Sequence, residues 1–191
     1  MNTNQSKSIL VAGIDEVGRG SIAGPLVAGV VVLPANHCLE LYDSKSISRQ
    51  KRNYLNTQII DIALAYATGW VTNEEIDEYG LAWSLREAYI RALTQIPVGI
   101  NKIILDGNVN YLSEFGICET IVGADKSIDC VSAASIVAKV ARDEYMMAQS
   151  TKYPQYRYET NVGYGTVSHL MAIKELGLCK LHRKTFCTKH L

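Results

Sequence analysis

An aspartate and a glutamate stand side by side, Asp15-Glu16, at the end of the apolar run Ile9-Leu10-Val11-Ala12-Gly13-Ile14, and a glycine-bracketed arginine, Gly18-Arg19-Gly20, follows. Desolvating unpaired carboxylates is costly. Acids at the end of a buried strand therefore call for a positive partner, and one divalent cation serves both. The glycines allow a turn that carries backbone N–H groups close to an anionic ligand. Together these residues suggest a metal site beside a phosphate-binding loop.

Two more apolar runs lead into acids. Lys102-Ile103-Ile104-Leu105 runs into Asp106-Gly107-Asn108, and the stretch from Cys118 to Val122 precedes Asp125. Asp15, Glu16, Asp106 and Asp125 are more carboxylates than one structural ion pair needs. Two-metal phosphoryl-transfer sites use such a set, with ions roughly 3.5–4 Å apart, one activating the attacking water and one stabilising the leaving oxygen. Hard oxygen ligands suit Mg²⁺ or Mn²⁺ rather than zinc. Taken singly, each acid has a plainer use: Asp106 before Gly107 starts a turn, Asp125 caps a helix, Glu16 points to solvent.

The elements that must position these acids read as α/β. Ile9 to Asp15 and Leu26 to Leu33 are expected strands, and Ser48 caps a helix through about Ile60. Ile62 to Thr72 reads as a third strand. Asn73 is the expected cap of an amphipathic helix to about Gln95, broken by Pro97 and Gly99. Lys102 to Leu105 and Cys118 to Val122 are further strands. Small residues from Ser132 to about Gln149 predict a helix packed closely on the sheet, and a last helix is expected from Thr166 to Leu176, with Gly177 as its stop.

At 191 residues, with 48% apolar and 20% charged residues, the chain reads as one globular domain, residues 1–191, with a flexible N-terminus over residues 1–8. Five dispersed cysteines with no C-x-x-C pair indicate neither a disulfide framework nor a zinc ribbon, so a reducing cytoplasm is the expected setting. No stretch is long and apolar enough to span a bilayer, and no signal-peptide core follows Met1, so no membrane association is expected. Lys+Arg and Asp+Glu both total 19, which makes no case for a polyanionic partner and does not exclude one. Basic residues do gather at Lys45, Arg49, Lys51 and Arg52, and at Lys174, Lys180, Arg183, Lys184 and Lys189.

The segment from Gly13 to Val27 resembles the N-terminal signature of ribonuclease HII. Asp43-Ser44-Lys45, Leu105-Asp106-Gly107-Asn108, the block from Ser132 to Asp143, Gly163-Tyr164-Gly165-Thr166 and His182-Arg183-Lys184-Thr185-Phe186 are similar to that family's later blocks, in order. The resemblance implies an RNase H-like fold, a mixed five-stranded sheet flanked by helices with a helical C-terminal part. It implies a metal-dependent endonuclease, monomeric, that cuts the RNA strand of RNA/DNA hybrids. It also implies incision on the 5′ side of single ribonucleotides in duplex DNA, leaving 3′-hydroxyl and 5′-phosphate ends. The metal ligands map onto Asp15, Glu16, Asp106 and Asp125; Asp129 is passed over because Asp125 has the expected spacing to Ser132. Gly18, Arg19 and Gly20 correspond to the reader of the 2′-hydroxyl, the group that marks RNA. Tyr164 corresponds to a residue packed on the neighbouring deoxyribose, though the Gly163–Gly165 bend alone could explain an aromatic there. Lys45 and Arg183 are expected phosphate contacts, Lys139 and Arg142 structural, His169 and His182 packed. The sequence names no clamp or polymerase partner.

Gly123, Val162 and Ser46 stand where that family often has a basic residue, so a shallower salt dependence is expected. A dinucleotide-type loop is disfavoured, since Gly18, Gly20 and Gly24 are spaced G-x-G-x-x-x-G and Pro25 opens another strand rather than a helix. A non-catalytic binding module would not need every acid. Ribonuclease HIII is the near neighbour, set aside on Gly18-Arg19-Gly20 and the lack of an added N-terminal domain.

Overall fold

The computed structural model describes residues 9–41 and 46–188. Strand β1 (Val11–Val17) forms an antiparallel hairpin with β2 (Leu26–Val32), Asp15 opposite Gly29 and Glu16 opposite Ala28. Strand β3 (Ala65–Val71) continues the antiparallel order beyond β2, while β4 (Lys102–Asp106) lies parallel to β1 and β5 (Cys118–Ile121) parallel to β4. The five strands run in the order β3-β2-β1-β4-β5, a mixed sheet. All seven residues of β2 are buried, as a continuous Val-rich run covered on both faces requires.

Helix α1 (Arg49–Ile62) starts on Ser48, whose Oγ accepts from Lys51 N–H at 3.2 Å. Helix α2 (Asn73–Leu93) differs from expectation at its start. Thr72, not Asn73, is the cap, because Glu75 reaches back to Thr72 N–H at 2.8 Å and completes a capping box. Gly80, at φ 78° and ψ 170°, breaks α2 into two helical stretches. Helix α3 (Asp129–Ser150) begins three residues before the expected Ser132. Short α4 (Tyr158–Asn161) precedes α5 (Val167–Leu176), and a further turn, α6 (Lys184–Cys187), follows the helix expected to be last.

Two helices sandwich the centre of the sheet, and glycines set how closely they lie. A Cβ on Gly13 or Gly29 would run into the α3 backbone at Cys130 or Ala134, and one on Gly69 into the α2 backbone at Ala88. Because successive side chains of a strand point to opposite faces, Ala12 and Ile14 join the core under α2, whereas Gly13 lies against α3. Adjacent acids on β1 are thereby sent to opposite sides of the sheet.

Candidate active site

The two acids of β1 follow that alternation. Asp15 points toward α3, where it is 5% exposed and takes a hydrogen bond from Ser135. Glu16 points toward α2, where the Tyr89 hydroxyl donates to its Oε2 at 2.6 Å. Its Oε1 lies 3.8 Å from Arg19 Nη1. Strand β1 does not end at Asp15 as expected; pairing with β2 carries it on to Val17, so both acids sit within the strand.

Parallel pairing of β1 with β4 runs to Ile14 opposite Leu105, and the next residues are Asp15 and Asp106. Asp106 Oδ1 accepts the Ala124 N–H at 2.8 Å, which ties β4 to the short turn Ala124–Lys126 that carries Asp125. Asp125 is 3% exposed, and its carbonyl accepts from Ser132 Oγ at 2.6 Å. It is not the cap of α3, whose N-cap is Ile128. Asp129 is the first residue of α3, more than half exposed, with Oδ2 3.3 Å from His37 Nε2.

Burial first, then the charges of Glu16 and Asp106, push the Asp15 carboxyl up to about 8 from an ordinary 3.8. Among the described residues, no three of His, Cys, Asp and Glu are already drawn together tightly enough to hold an ion. Even so, a buried acid raised by two like-charged neighbours is a group whose ionised form a cation would favour, and all the nearby donors are hard oxygens. The residues fit a divalent metal. The same field, with burial the larger cause, raises the Tyr89 phenol far above its usual value, so it remains a hydrogen-bond donor.

The loop after β1 is built from beneath by two arginines, both 0% exposed. Arg142 on α3 donates to the carbonyls of Pro25 (2.8 Å), Val162 (2.8 Å) and Ala23 (3.0 Å). Arg183 donates to the carbonyls of Gly24 (2.9 Å), Gly18 (2.7 Å) and, more weakly, Arg19 (3.4 Å). The structure thus places Arg183, the expected phosphate contact, inside the protein against loop carbonyls, with its Nη2 buried and without a hydrogen-bond partner among the described residues. Burial, then the charge of Arg142, lowers it to about 9. Arg142 does not pair with Asp143; Lys139 does, at 2.8 Å.

The two outer glycines of this loop differ in kind. Gly18 has φ 93°, and a Cβ there would meet Arg142 and the Pro25 carbonyl, so the fold itself demands glycine. Gly20 has no positive φ, and a Cβ there would meet nothing within 4 Å. Arg19 projects outward, its side chain 58% exposed.

Tyr164 is seated on this loop through its neighbour. The Gly163 carbonyl accepts from Ile22 and Ala23 N–H at 2.9 and 3.1 Å. The partly buried Tyr164 ring has Lys139 Nζ and Arg142 Cζ each 5.6 Å from its centroid. Val162, buried at φ 43°, holds a β-branched side chain in the left-handed region just before this bend. The Tyr164 carbonyl accepts from His169 Nδ1 at 2.9 Å, and His169 Nε2 meets His182 Nε2 at 3.0 Å.

The Asp43-Ser44-Lys45 block lies outside the described residues. Nearby, Arg52 turns inward, 3.7 Å from Asp143 and donating to the Ile47 carbonyl at 3.1 Å, so the first basic run is not one solvated face. Sequence reasoning missed Tyr89 and Ser135 as partners of the acids. Their only signal is helical spacing, which cannot say which residue of a buried face lands on a carboxylate.

The ribonuclease HII family profile matches residues 12–189. A ribonuclease HII of Endomicrobium trichonymphae is 44% identical over 177 residues, spanning 92% of this chain and 84% of that relative. One from Idiomarina loihiensis is 39% identical over 179 residues, spanning 93% and 95%. The crystal structure of the ribonuclease H2 from Pyrococcus horikoshii OT3 superposes with a TM-score of 0.81 at 29% identity, over 95% of this chain and 97% of that one. A mixed five-stranded sheet that carries acids on two adjacent strands is thus matched in sequence and in fold over nearly its whole length, and the chain belongs to the ribonuclease HII family, divalent-metal-dependent type 2 ribonuclease H endonucleases acting on RNA/DNA hybrids.

Proposed function

We propose that this enzyme, besides cutting hybrids, incises duplex DNA on the 5′ side of a single embedded ribonucleotide, leaving 3′-hydroxyl and 5′-phosphate ends. Gly20 carries the reading. The protein leaves open space where its Cβ would be, so a ligand can approach the backbone there without meeting a side chain. With loop carbonyls bound inward by Arg142 and Arg183, the outward side of Gly18-Arg19-Gly20 is left to read a 2′-hydroxyl.

Asp15, Glu16, Asp106 and Asp125 would hold the cations, Mg²⁺ or Mn²⁺, two during catalysis. Bound there, such ions supply an activated water and neutralise charge at the leaving oxygen. Ser135 and Tyr89 orient Asp15 and Glu16 by their hydrogen bonds. Tyr164 packs on the deoxyribose next to the cut, its ring held by the Gly163 bend, and Lys45 contacts a phosphate. The working unit is a monomer in the cytoplasm.

Purified protein with Mg²⁺ or Mn²⁺ should nick a duplex bearing one ribonucleotide, should cut a ribonucleotide run, and should spare all-DNA duplex. Cleavage of the run alone would reduce the function to hybrid removal.

A further inference from the structure

Glu16 and Tyr89 are 73 residues apart in sequence and joined by a 2.6 Å hydrogen bond, from the phenol hydroxyl to carboxylate Oε2. Tyr89 is 1% exposed on α2, its ring packed in the core with Ala12, Ile14 and Leu105. A buried phenol needs a hydrogen-bond partner. Here the partner is an acid on the adjacent strand, and its other oxygen, Oε1, lies 3.8 Å from the outward-facing Arg19.

We propose that Tyr89 is a positioning residue for the metal-binding chemistry, fixing Glu16 by one oxygen so that the carboxylate enters the site in a single orientation. The proposal rests on Glu16 being a metal ligand. A glutamate has three rotatable side-chain bonds, and ordering them when an ion binds costs free energy. A rigid ring anchored in the core has already settled that geometry. Outer partners of metal ligands act in this way, and losing one typically weakens metal affinity tenfold or more. Asp15 has its own donor, Ser135, on the opposite face of the sheet, so each acid of the pair is braced by a different helix.

The test is Mn²⁺ titration of substrate-free protein, with free ion followed by its electron paramagnetic resonance signal, on wild type, Tyr89→Phe and Glu16→Gln. Phenylalanine keeps the ring and removes only the donor. Tyr89→Phe should bind Mn²⁺ about tenfold more weakly; its kcat on an RNA/DNA hybrid should fall at a fixed subsaturating ion concentration, with KM for the hybrid unchanged. Unchanged or tighter Mn²⁺ binding by Tyr89→Phe, alongside weakened binding by Glu16→Gln, would overturn the positioning role. If Glu16→Gln binds Mn²⁺ like wild type, Glu16 is no ligand and the underlying metal assignment fails instead.

Discussion

The imidazoles of His169 and His182 face each other Nε2 to Nε2 at 3.0 Å, and their outer nitrogens fix which one carries the proton between them. His182 Nδ1 accepts from Cys179 N–H at 2.8 Å, so its proton sits on Nε2 and is donated to His169 Nε2; His169 in turn donates from Nδ1 to the Tyr164 carbonyl. A one-way chain of hydrogen bonds thus links the C-terminal segment to Tyr164. Tyr156 and Tyr158 pack edge-on around it.

An added proton would set two N–H groups against each other, and burial lowers both histidines, His182 to about 4. Groups depressed on folding stabilise the protein above their ordinary value, 6.5 here, and that stability is lost as pH falls through the folded value. Denaturation at pH 7, 5.5 and 4.5 should show stability falling through this window. His182→Gln should be less stable at pH 7 by about 1–3 kcal/mol and show a shallower fall.

Asp15 carries the opposite sign. Its value is raised to about 8, so its favourable contribution to metal-free stability is complete below about 3.8 and lost as pH rises through 8. A divalent ion must displace the proton at lower pH. The rise in Tm on adding Mn²⁺ should therefore be larger at pH 8.5 than at pH 6, and calorimetry in buffers of different ionisation enthalpy should detect proton release at pH 6. Asp15→Asn should remove both effects; their persistence would move the shifted group elsewhere.

Arg183→Ala strips donors from buried carbonyls of Gly18 and Gly24. It should cost about 3 kcal/mol or more of stability, while the slope of hybrid affinity against salt stays as in wild type. A slope lowered by about one would restore a phosphate contact to this residue.

Gly20→Ala and Tyr164→Ala separate reading from folding. With no clash at Gly20, alanine there should stay within ~0.5 kcal/mol of wild type; Tyr164→Ala, whose ring packs against a buried cluster, is judged against Tyr164→Phe. Both should lose incision at a single ribonucleotide, whereas Tyr164→Phe, which keeps the ring, should retain most of it. Gly18→Ala is the contrast, expected to destabilise because φ is 93° and Arg142 blocks the Cβ. If Gly20→Ala nicks the single-ribonucleotide duplex as wild type does, close backbone approach at that position is unnecessary.

What could be read from the sequence was local. Apolar runs that lead into Asp15, Asp106 and Asp125 announce strands and acids together, and the sheet does set Asp15 next to Asp106. Helix starts were legible to within a few residues, with Thr72 missed because its strength as a cap depends on Glu75 reaching back. The buried arginines were not legible. Nothing in an Arg183 flanked by His182 and Lys184 tells that its partners are the carbonyls of Gly18 and Gly24 rather than a phosphate. Tyr89 was hidden for the same reason, since helical spacing marks a buried face but not the acid beneath it.

The two arginine braces also order events as the chain is made. Loop residues 18–25 emerge early, but Arg142 follows its partner Pro25 by 117 residues, and Arg183 follows Gly18 by 165. Synthesis runs from the N-terminus, so β1, β2 and all four acids exist before the second brace does. A nascent chain stopped short of Arg183 would carry all four acids but lack the donors to the Gly18 and Gly24 carbonyls. On the proposed role of Gly18-Arg19-Gly20, the loop that would read the 2′-hydroxyl gains its second brace only after 165 further residues have followed Gly18.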